Sequence, residues 1–325
     1  MRQKIDISHR TIIFIAVFIL GLWLTFLIRD ILLLLFIAVI LMSALSPLVN
    51  LLARLKIPKA LGIAISYMFI ISFLGGVGAL LIPPLVEESS KLFTTLPSLV
   101  NPFLNDLNID KNILQTEFAT FSKNLISFLL SLFDNVLTII LLLVLTFYLL
   151  LEKEKLEDRI ASLFIGREEK IKGIMVQMED KLGAWLRGQL ILSLVIGLLS
   201  YIGLTLLNIP YALPLALLAG LLEVIPVIGP IISAVPAVAV ALTISPLVAA
   251  GVAALYFVIQ QLENHLIVPQ VMKRAVGINP LMVILAIAVG GRLLGIAGAL
   301  LAVPIVVVLQ IIFLEVVEAQ KLEKK

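Results

Sequence analysis

Cysteine is absent from the 325 residues of this chain, and histidine occurs only twice. The absence of cysteine excludes disulfides, thiolate nucleophiles and thiolate metal ligands, and two histidines leave little from which to build a zinc site. The sequence also lacks the Ser/His, paired-Asp and HExxH arrangements of intramembrane proteases and the GxxxxGKS/T loop of nucleotide-binding ATPases. We therefore predict a protein that is not an enzyme and that has no cofactor and no metal centre.

Charge is also scarce, because charged residues make up 14% of the chain and hydrophobic residues 61%, with a mean hydropathy of +1.17. In soluble domains about a quarter of the residues are charged. Several apolar runs exceed the roughly 20 residues with which a helix crosses about 30 Å of hydrocarbon. Such runs exclude a β-barrel, whose strands alternate over about ten residues. We predict an all-α, polytopic protein of the cell inner (plasma) membrane.

The net charge of +3 does not indicate nucleic-acid binding, because the basic residues lie beside apolar spans rather than on one soluble face. The connection 50–59 contains three basic residues and no acid, whereas acids outnumber bases in segment 87–124. The positive-inside rule therefore predicts a cytoplasmic N-terminus and an external segment 87–124. The first apolar run has no small-residue cleavage site after it, so we expect an uncleaved span.

We predict three regions along the chain. Residues 1–151 form a four-span bundle that includes the external amphipathic segment 87–124, and residues 152–187 form a charged, amphipathic cytoplasmic helical segment. Residues 188–325 form a transport core, which starts with a fifth span at 189–207. The four predicted spans of the bundle are 11–28, 31–49, 60–86 and 125–151.

Proline and glycine interrupt two apolar stretches of this core. Pro226, Gly229 and Pro230 oppose a continuous helix, and the arms on either side, 212–225 and 231–244, have about 14 residues, or roughly 21 Å of helix. We therefore predict a broken, re-entrant hairpin over residues 212–244, the alternative being a kinked or long tilted helix.

A second stretch, over residues 280–312, resembles the first. Both stretches open on Pro-Leu, at Pro214 and Pro280, and both close on Ala-Val-Pro, at Pro236 and Pro304. Duplication is one explanation of this weak repeat, and chance in a biased composition is the alternative. We place the second break at Gly290 and Gly291, which gives about seven or eight membrane segments in all.

Polar side chains near these breaks are candidates for binding. A charged residue at the bilayer centre costs roughly 2.5 to 3.5 kcal/mol on insertion scales, so Glu223 and Arg292 are functional candidates. Glu223 is suited to a proton, a cation or a polar substrate; alternatively it faces a solvated mouth or pairs with Arg292. Gln260, Glu263 and Asn264 offer carboxylate and amide groups for a polyol or a cation, or else they cap a helix that ends there.

Three blocks of sequence carry a resemblance to a known family. PVIGP from Pro226, ENHLIVPQVMKRAVGINP from Glu263 and GGRLLGIAGALLAVP from Gly290 resemble the signature blocks of the autoinducer-2 exporter (AI-2E) family, inner-membrane permeases. The resemblance covers nearly the whole chain. It implies export of autoinducer-2, a small polyhydroxylated furanone derivative, or the sodium/proton antiport assigned to some members. The positions that it marks are Glu223, Pro226, Gly229, Pro230, Glu263, Asn264, Pro269, Pro280, Gly291, Gly295, Gly298 and Pro304.

These observations predict an exporter of a small polar solute, most simply one like autoinducer-2, that works by gradient-driven alternating access. A sodium or potassium/proton antiporter is the alternative, and a non-transporting membrane scaffold is a third reading. The expected partners are the lipid bilayer, a small polar solute or a monovalent cation or proton, and further copies of the chain in a homo-oligomer; no nucleic acid is expected. The hairpin tips and residues 260–264 are expected to line one site.

Overall fold

The structure, a computed structural model, describes residues 9–73, 75–79, 83–84, 87, 136–226, 228–272 and 280–323. The predicted external segment, Glu87 excepted, and residues 125–135 of the predicted fourth span lie outside the described residues. All regular secondary structure in the described ranges is helical. The division of the chain into three regions remains a prediction.

Ten α-helices are numbered here in chain order. A five-residue π-helix, Glu263–Ile267, joins the eighth to the ninth. The α-helices are α1 His9–Leu27, α2 Arg29–Arg54, α3 Lys59–Ala79, α4 Val136–Ser162, α5 Glu168–Leu206, α6 Ala212–Leu222, α7 Ile228–Leu242, α8 Pro246–Leu262, α9 Val268–Val271 and α10 Pro280–Glu323.

Six described segments are long and apolar enough to cross a membrane: α2, α3, α4, α5, the stretch from α8 to α9, and α10. Residues 16–27 of α1, α6 and α7 are shorter apolar helices. The described side chains of α1 are exposed almost throughout, including Phe14, Phe18 and Trp23, as expected of a helix that is surrounded by lipid. The prediction of an all-α, polytopic membrane protein is confirmed, while the number of crossings remains a prediction.

The helices enclose three buried clusters, and α5 contributes to two of them. Leu150 of α4 packs with residues of α2 and α3 in the first cluster. Trp185 and Leu192 of α5 pack with α2 and α10 in the second. Ile196 and Leu204, farther along α5, pack with α6, α7 and α8 in the third. Helix α5 therefore connects the first half of the chain to the two proline- and glycine-rich stretches.

The first of these stretches breaks where the sequence predicts a break, and its re-entrance into the membrane remains a prediction. Helix α6 ends at Leu222 and α7 begins at Ile228, so the chain reverses next to Pro226. A Cβ atom on Gly229 would collide with the Leu222 carbonyl, so only glycine permits this close approach. Pro230 lies in the first turn of α7, where its missing N–H costs no helical hydrogen bond.

The second hairpin reverses at a different residue from the one predicted. Gly295 has φ of +62° and ψ of −143°, which interrupts α10, whereas Gly290 and Gly291 remain helical. Gly290 and Gly298 pack backbone against backbone where the two arms meet, and a Cβ atom on either would collide with the other's carbonyl. The predicted break at Gly290 and Gly291 is therefore wrong by about four residues, because Gly290 serves close packing and Gly295 makes the turn.

The predicted amphipathic segment 152–187 is not a helix of its own. Its first part continues α4 to Ser162, and its second part begins α5, which runs without interruption into the predicted fifth span. Ion pairs join the two helices: Lys153 Nζ lies 2.6 Å from Glu179 Oε1, and Lys172 Nζ lies 2.7 Å from Asp158 Oδ1. The two helices thus form a charged hairpin, called here the α4–α5 hairpin.

Helix α5 crosses α2 at a proline. Pro47 has no N–H, so the Ser43 carbonyl one turn earlier lacks its usual helical donor. Arg187 of α5 supplies the donor, because its Nη1 lies 3.2 Å from the Ser43 carbonyl and 3.1 Å from the Ala44 carbonyl. Gly183 permits the close approach, since a Cβ atom there would collide with the Ser43 carbonyl.

This arrangement predicts coupling between Arg187 and Pro47. We expect Arg187→Leu to lower the free energy of unfolding by about 1 to 3 kcal/mol, because it leaves a buried acceptor without a donor. Adding Pro47→Ala restores an N–H to the Ser43 carbonyl, so the double variant should recover much of this loss. The measurement is unfolding in mixed detergent micelles, with Arg159→Leu at an exposed position of α4 as the charge-matched control. Equal losses with and without Pro47 would contradict the coupling.

Candidate functional site

Two buried carboxyl groups face each other beside the first hairpin. Glu223 is 1% exposed and Glu263 is 4% exposed, and their side chains are within hydrogen-bonding reach of each other. A hydrogen bond between two carboxyl groups requires a proton on one of them, because an ionised carboxylate only accepts. A proton on one of the two groups would let it donate to the other, so the pair is suited to hold one proton and one negative charge, shielded from solvent.

The turn after α6 positions Glu223. Its backbone carbonyl lies at the end of a short helix, where carbonyl groups have no helical partner. The Gln189 side chain of α5, itself buried, donates from Nε2 to this carbonyl at 2.6 Å. Close packing holds α6 against α5 one turn away, where Gly220 lies against the Ser193 carbonyl and Gly197. The hydrogen bond from the Gln189 side chain to the Glu223 carbonyl thus fixes the position of Glu223 relative to α5.

A widened helical turn positions Glu263. The Val268 N–H donates to the Glu263 carbonyl five residues earlier, in the pattern of a π-helix. Pro269 follows and has no N–H for the His265 carbonyl, so the ordinary four-residue pattern is interrupted there. Single π-turns of this kind are frequent at functional sites. Here the π-turn starts at Glu263, the residue that meets Glu223.

Two amides extend the carboxyl pair toward the protein surface. Gln260 Nε2 donates to Glu263 Oε2 at 3.2 Å and lies 3.5 Å from Asn264 Oδ1. Gln260 is half-buried and Asn264 is exposed. The site therefore runs from Asn264 at the surface, past Gln260, to the buried pair. His265 lies exposed beside it, with Nδ1 3.0 Å from the Gln261 carbonyl.

One oxygen of the pair is available for a ligand. Among the described residues, Glu223 Oε2 is buried and has no hydrogen-bond partner. A buried acceptor of this kind suits a proton, a monovalent cation or a hydroxyl group of a solute. Groups of three or more His, Cys, Asp or Glu side chains that could hold a metal ion do not occur in the ranges that the structure covers.

The structure brings together only some of the predicted site residues. Glu223, Gln260, Glu263 and Asn264 form one group, with Pro226, Gly229 and Pro230 at the adjacent turn and Pro269 after the π-turn. Arg292 is exposed on the second hairpin, and the described ion pairs do not join it to Glu223. The remaining predicted hinge residues also belong to α10: Pro280 begins it, Gly290, Gly291, Gly295 and Gly298 lie around its reversal, and Pro304 is buried in its second arm.

Sequence reasoning missed three residues that the structure places next to the site or near it: Gln189, Ser200 and Tyr256. All three are buried in apolar helices. A signal for them exists in the spacing, because Gln189 and Ser200 are eleven residues apart and Tyr256 and Glu263 are seven apart, which keeps each pair on one helical face. Polar residues that share a face of an apolar helix mark a polar contact within the bundle.

Comparisons with known proteins agree with this architecture. The family model of the AI-2E family transporters matches residues 12–318. “Putative transport protein YrrI” of Bacillus subtilis is 30% identical over 280 residues, 79% of this chain and 78% of the relative. AI-2 transport protein TqsA of Escherichia coli is 29% identical over 293 residues, 85% of this chain and 82% of the relative.

A relative with a different named activity matches a similar length of the chain. The sodium-lithium/proton antiporter of Halobacillus andaensis is 23% identical over 284 residues, which cover 78% of this chain and 80% of that protein. The match of the family model along nearly the whole chain, together with six long apolar helices, makes this protein a multi-span membrane transporter. The chain belongs to the AI-2E transporter family.

Proposed function

We propose that this protein exports a small polar solute of the autoinducer-2 type and that the Glu223–Glu263 pair is its binding site. The observation that carries the proposal is the buried pair with a free acceptor, Glu223 Oε2, at the turn of a broken hairpin. A polyhydroxylated solute offers hydroxyl donors to this oxygen and acceptors to the Gln260 amide. The similarity to TqsA, an AI-2 transport protein, supports this substrate class.

A gradient supplies the energy in this proposal. The pair shares one proton, and an arriving solute hydroxyl competes for the same carboxyl oxygens. Binding of solute and binding of the proton are then linked, and a proton gradient drives solute movement. The α6–α7 hairpin is the moving unit, because glycine and proline at its turn interrupt the helical hydrogen bonds that would stiffen it.

The first test is the flux of labelled autoinducer-2 into proteoliposomes with and without an imposed proton gradient. We expect gradient-dependent uptake, which Glu223→Gln lowers at least tenfold, equivalent to about 1.4 kcal/mol, because the amide cannot exchange the proton. Glu169→Gln, at an exposed position of α5, is the matched control and should retain full flux. Wild-type flux that ignores the gradient, or equal flux in the two variants, would contradict the proposal.

Movement of the hairpins gives a second test. The chain has no cysteine, so Ile228→Cys and Leu294→Cys each introduce a unique thiol near one reversal. If the site alternates between the two sides, a membrane-impermeant maleimide should label these thiols at rates that change when autoinducer-2 is added. Ile165→Cys, in the turn of the α4–α5 hairpin, should be labelled at a constant rate. Labelling of positions 228 and 294 that does not respond to the solute would argue against a moving site.

Cation/proton antiport is the second candidate, and the shared proton of the carboxyl pair favours it. A monovalent cation that binds two carboxylate oxygens displaces the proton between them, which couples the two ions directly. The sodium-lithium/proton antiport of the Halobacillus relative is consistent with this chemistry. The measurement uses the same vesicles with an internal pH dye. Addition of sodium without organic solute should move protons in wild type and not in Glu223→Gln if antiport is the activity, and no response in wild type would exclude it.

A further inference from the structure

A second polar contact lies deeper in the bundle, between α5 and α8. Ser200 of α5 is fully buried and Tyr256 of α8 is 8% exposed. The Tyr256 phenol lies near the Ser200 hydroxyl across the interface. In the described part of the chain, however, neither oxygen makes a hydrogen bond, and the same is true of Ser193 Oγ about two turns earlier on α5.

These hydroxyl groups differ from three other buried hydroxyl groups in the described helices. Ser43, Ser66 and Thr146 each donate to the carbonyl four residues earlier in their own helix, at 2.7 to 2.8 Å. That bond satisfies a hydroxyl group in an apolar helix without any partner from outside. Ser200 and Ser193 do not make this bond, and their oxygens are buried without a hydrogen-bond partner among the described residues. Buried polar atoms without a protein partner are typically satisfied by bound water.

The hydroxyl groups line up with the carboxyl pair. Gln189, Ser193 and Ser200 fall on one face of α5, because spacings of four and seven residues are close to whole helical turns. Tyr256 and Gln260 of α8 are four residues apart, and Glu263, the first residue of the π-helix that follows, comes seven residues after Tyr256. Gln189 reaches the Glu223 carbonyl at one end of this interface, and Ser200 faces Tyr256 at the other. At 1.5 Å per residue the two ends are roughly 10 to 16 Å apart.

We propose that bound water joins the hydroxyl groups of Tyr256, Ser200 and Ser193 to the Glu223–Glu263 pair and that this line conducts the proton of the pair. The inference deepens the proposed function, on whose proton coupling it rests. A hydroxyl group both donates and accepts, so each oxygen receives a proton from one neighbour as it passes its own proton to the next. No bond to carbon changes, and one proton leaves the line for each proton that enters it.

The ionisable groups along the described line are few. Glu223 and Glu263 form one end, and Tyr256 forms the other. The Gln189 and Gln260 amides between them are neutral and hold the carboxyl end in place. The line therefore leads from a proton-binding site to neutral hydroxyl groups, toward the end of α5 that is opposite the charged α4–α5 hairpin.

Two substitutions and two matched controls test the proton path. Tyr256→Phe and Ser200→Ala each remove a hydroxyl group that has no hydrogen-bond partner among the described residues. The controls, Tyr67→Phe and Ser66→Ala, each remove a hydroxyl group that donates to a carbonyl, that of Leu143 for Tyr67 and that of Gly62 for Ser66. In proteoliposomes with a pH dye, we expect the first two variants to lower proton flux at least tenfold and the controls to retain it. Equilibrium binding of autoinducer-2 without a gradient should stay within twofold of wild type in all four. Wild-type proton flux in Tyr256→Phe would overturn the proposal.

A readout that needs no transport separates this inference from the proposed function. Hydroxyl-radical footprinting labels a tyrosine ring beside bound water, so Tyr256 should be labelled in detergent-solubilised wild type at a rate near that of exposed Tyr148. An unlabelled Tyr256 would overturn the water line even if the protein transports. Labelled Tyr256 in a protein without proton flux would support the water line and reject the proposed function. Tyr256→Phe should unfold at no lower temperature than wild type, because it removes a hydroxyl group that has no protein partner.

Discussion

A carbonyl group that loses its helical donor inside a membrane protein must find another donor within the protein, because lipid supplies none. Two such carbonyls determine how this chain packs. Pro47 frees the Ser43 carbonyl of α2, and the end of α6 frees the Glu223 carbonyl. Arg187 and Gln189, two residues apart on α5, donate to one each. One short stretch of α5 therefore fixes both the first half of the chain and the carboxyl pair.

The same requirement explains the chemistry of the candidate site. Proline and glycine keep the helix broken next to Glu223, and the π-turn before Pro269 widens the helix at Glu263. The Glu223 carbonyl accepts from Gln189 and the Glu263 carbonyl accepts from the Val268 N–H, so the side chains of the two glutamates remain for each other and for a ligand. A continuous helix through either segment would satisfy its own backbone but would not bring the two carboxyl groups together.

The sequence predicted the first hairpin well because Pro226, Gly229 and Pro230 all oppose a helix at the same place. The second was misplaced because glycine has two uses there: Gly290 and Gly298 allow two backbones to touch, and only Gly295 takes the left-handed φ of the turn. Composition does not separate these uses. Glu223 and Glu263 were predicted from their charge, whereas Gln189 and Tyr256 were missed because their importance depends on which helices pack together. The fold alone establishes neither that the carboxyl pair binds a ligand nor which substrate the protein moves.

The length of α5 has a mechanical consequence. Its 39 residues span about 58 Å, roughly twice the thickness of the hydrocarbon layer, so a single rigid rod joins the carboxyl pair to the charged α4–α5 hairpin. Gln189 lies near the middle of this rod. A tilt of about 10° around that point would displace the charged end by roughly 5 Å, given its arm of about 30 Å. The length of α5 would therefore convert a small rotation beside Gln189 into a much larger displacement at the α4–α5 hairpin.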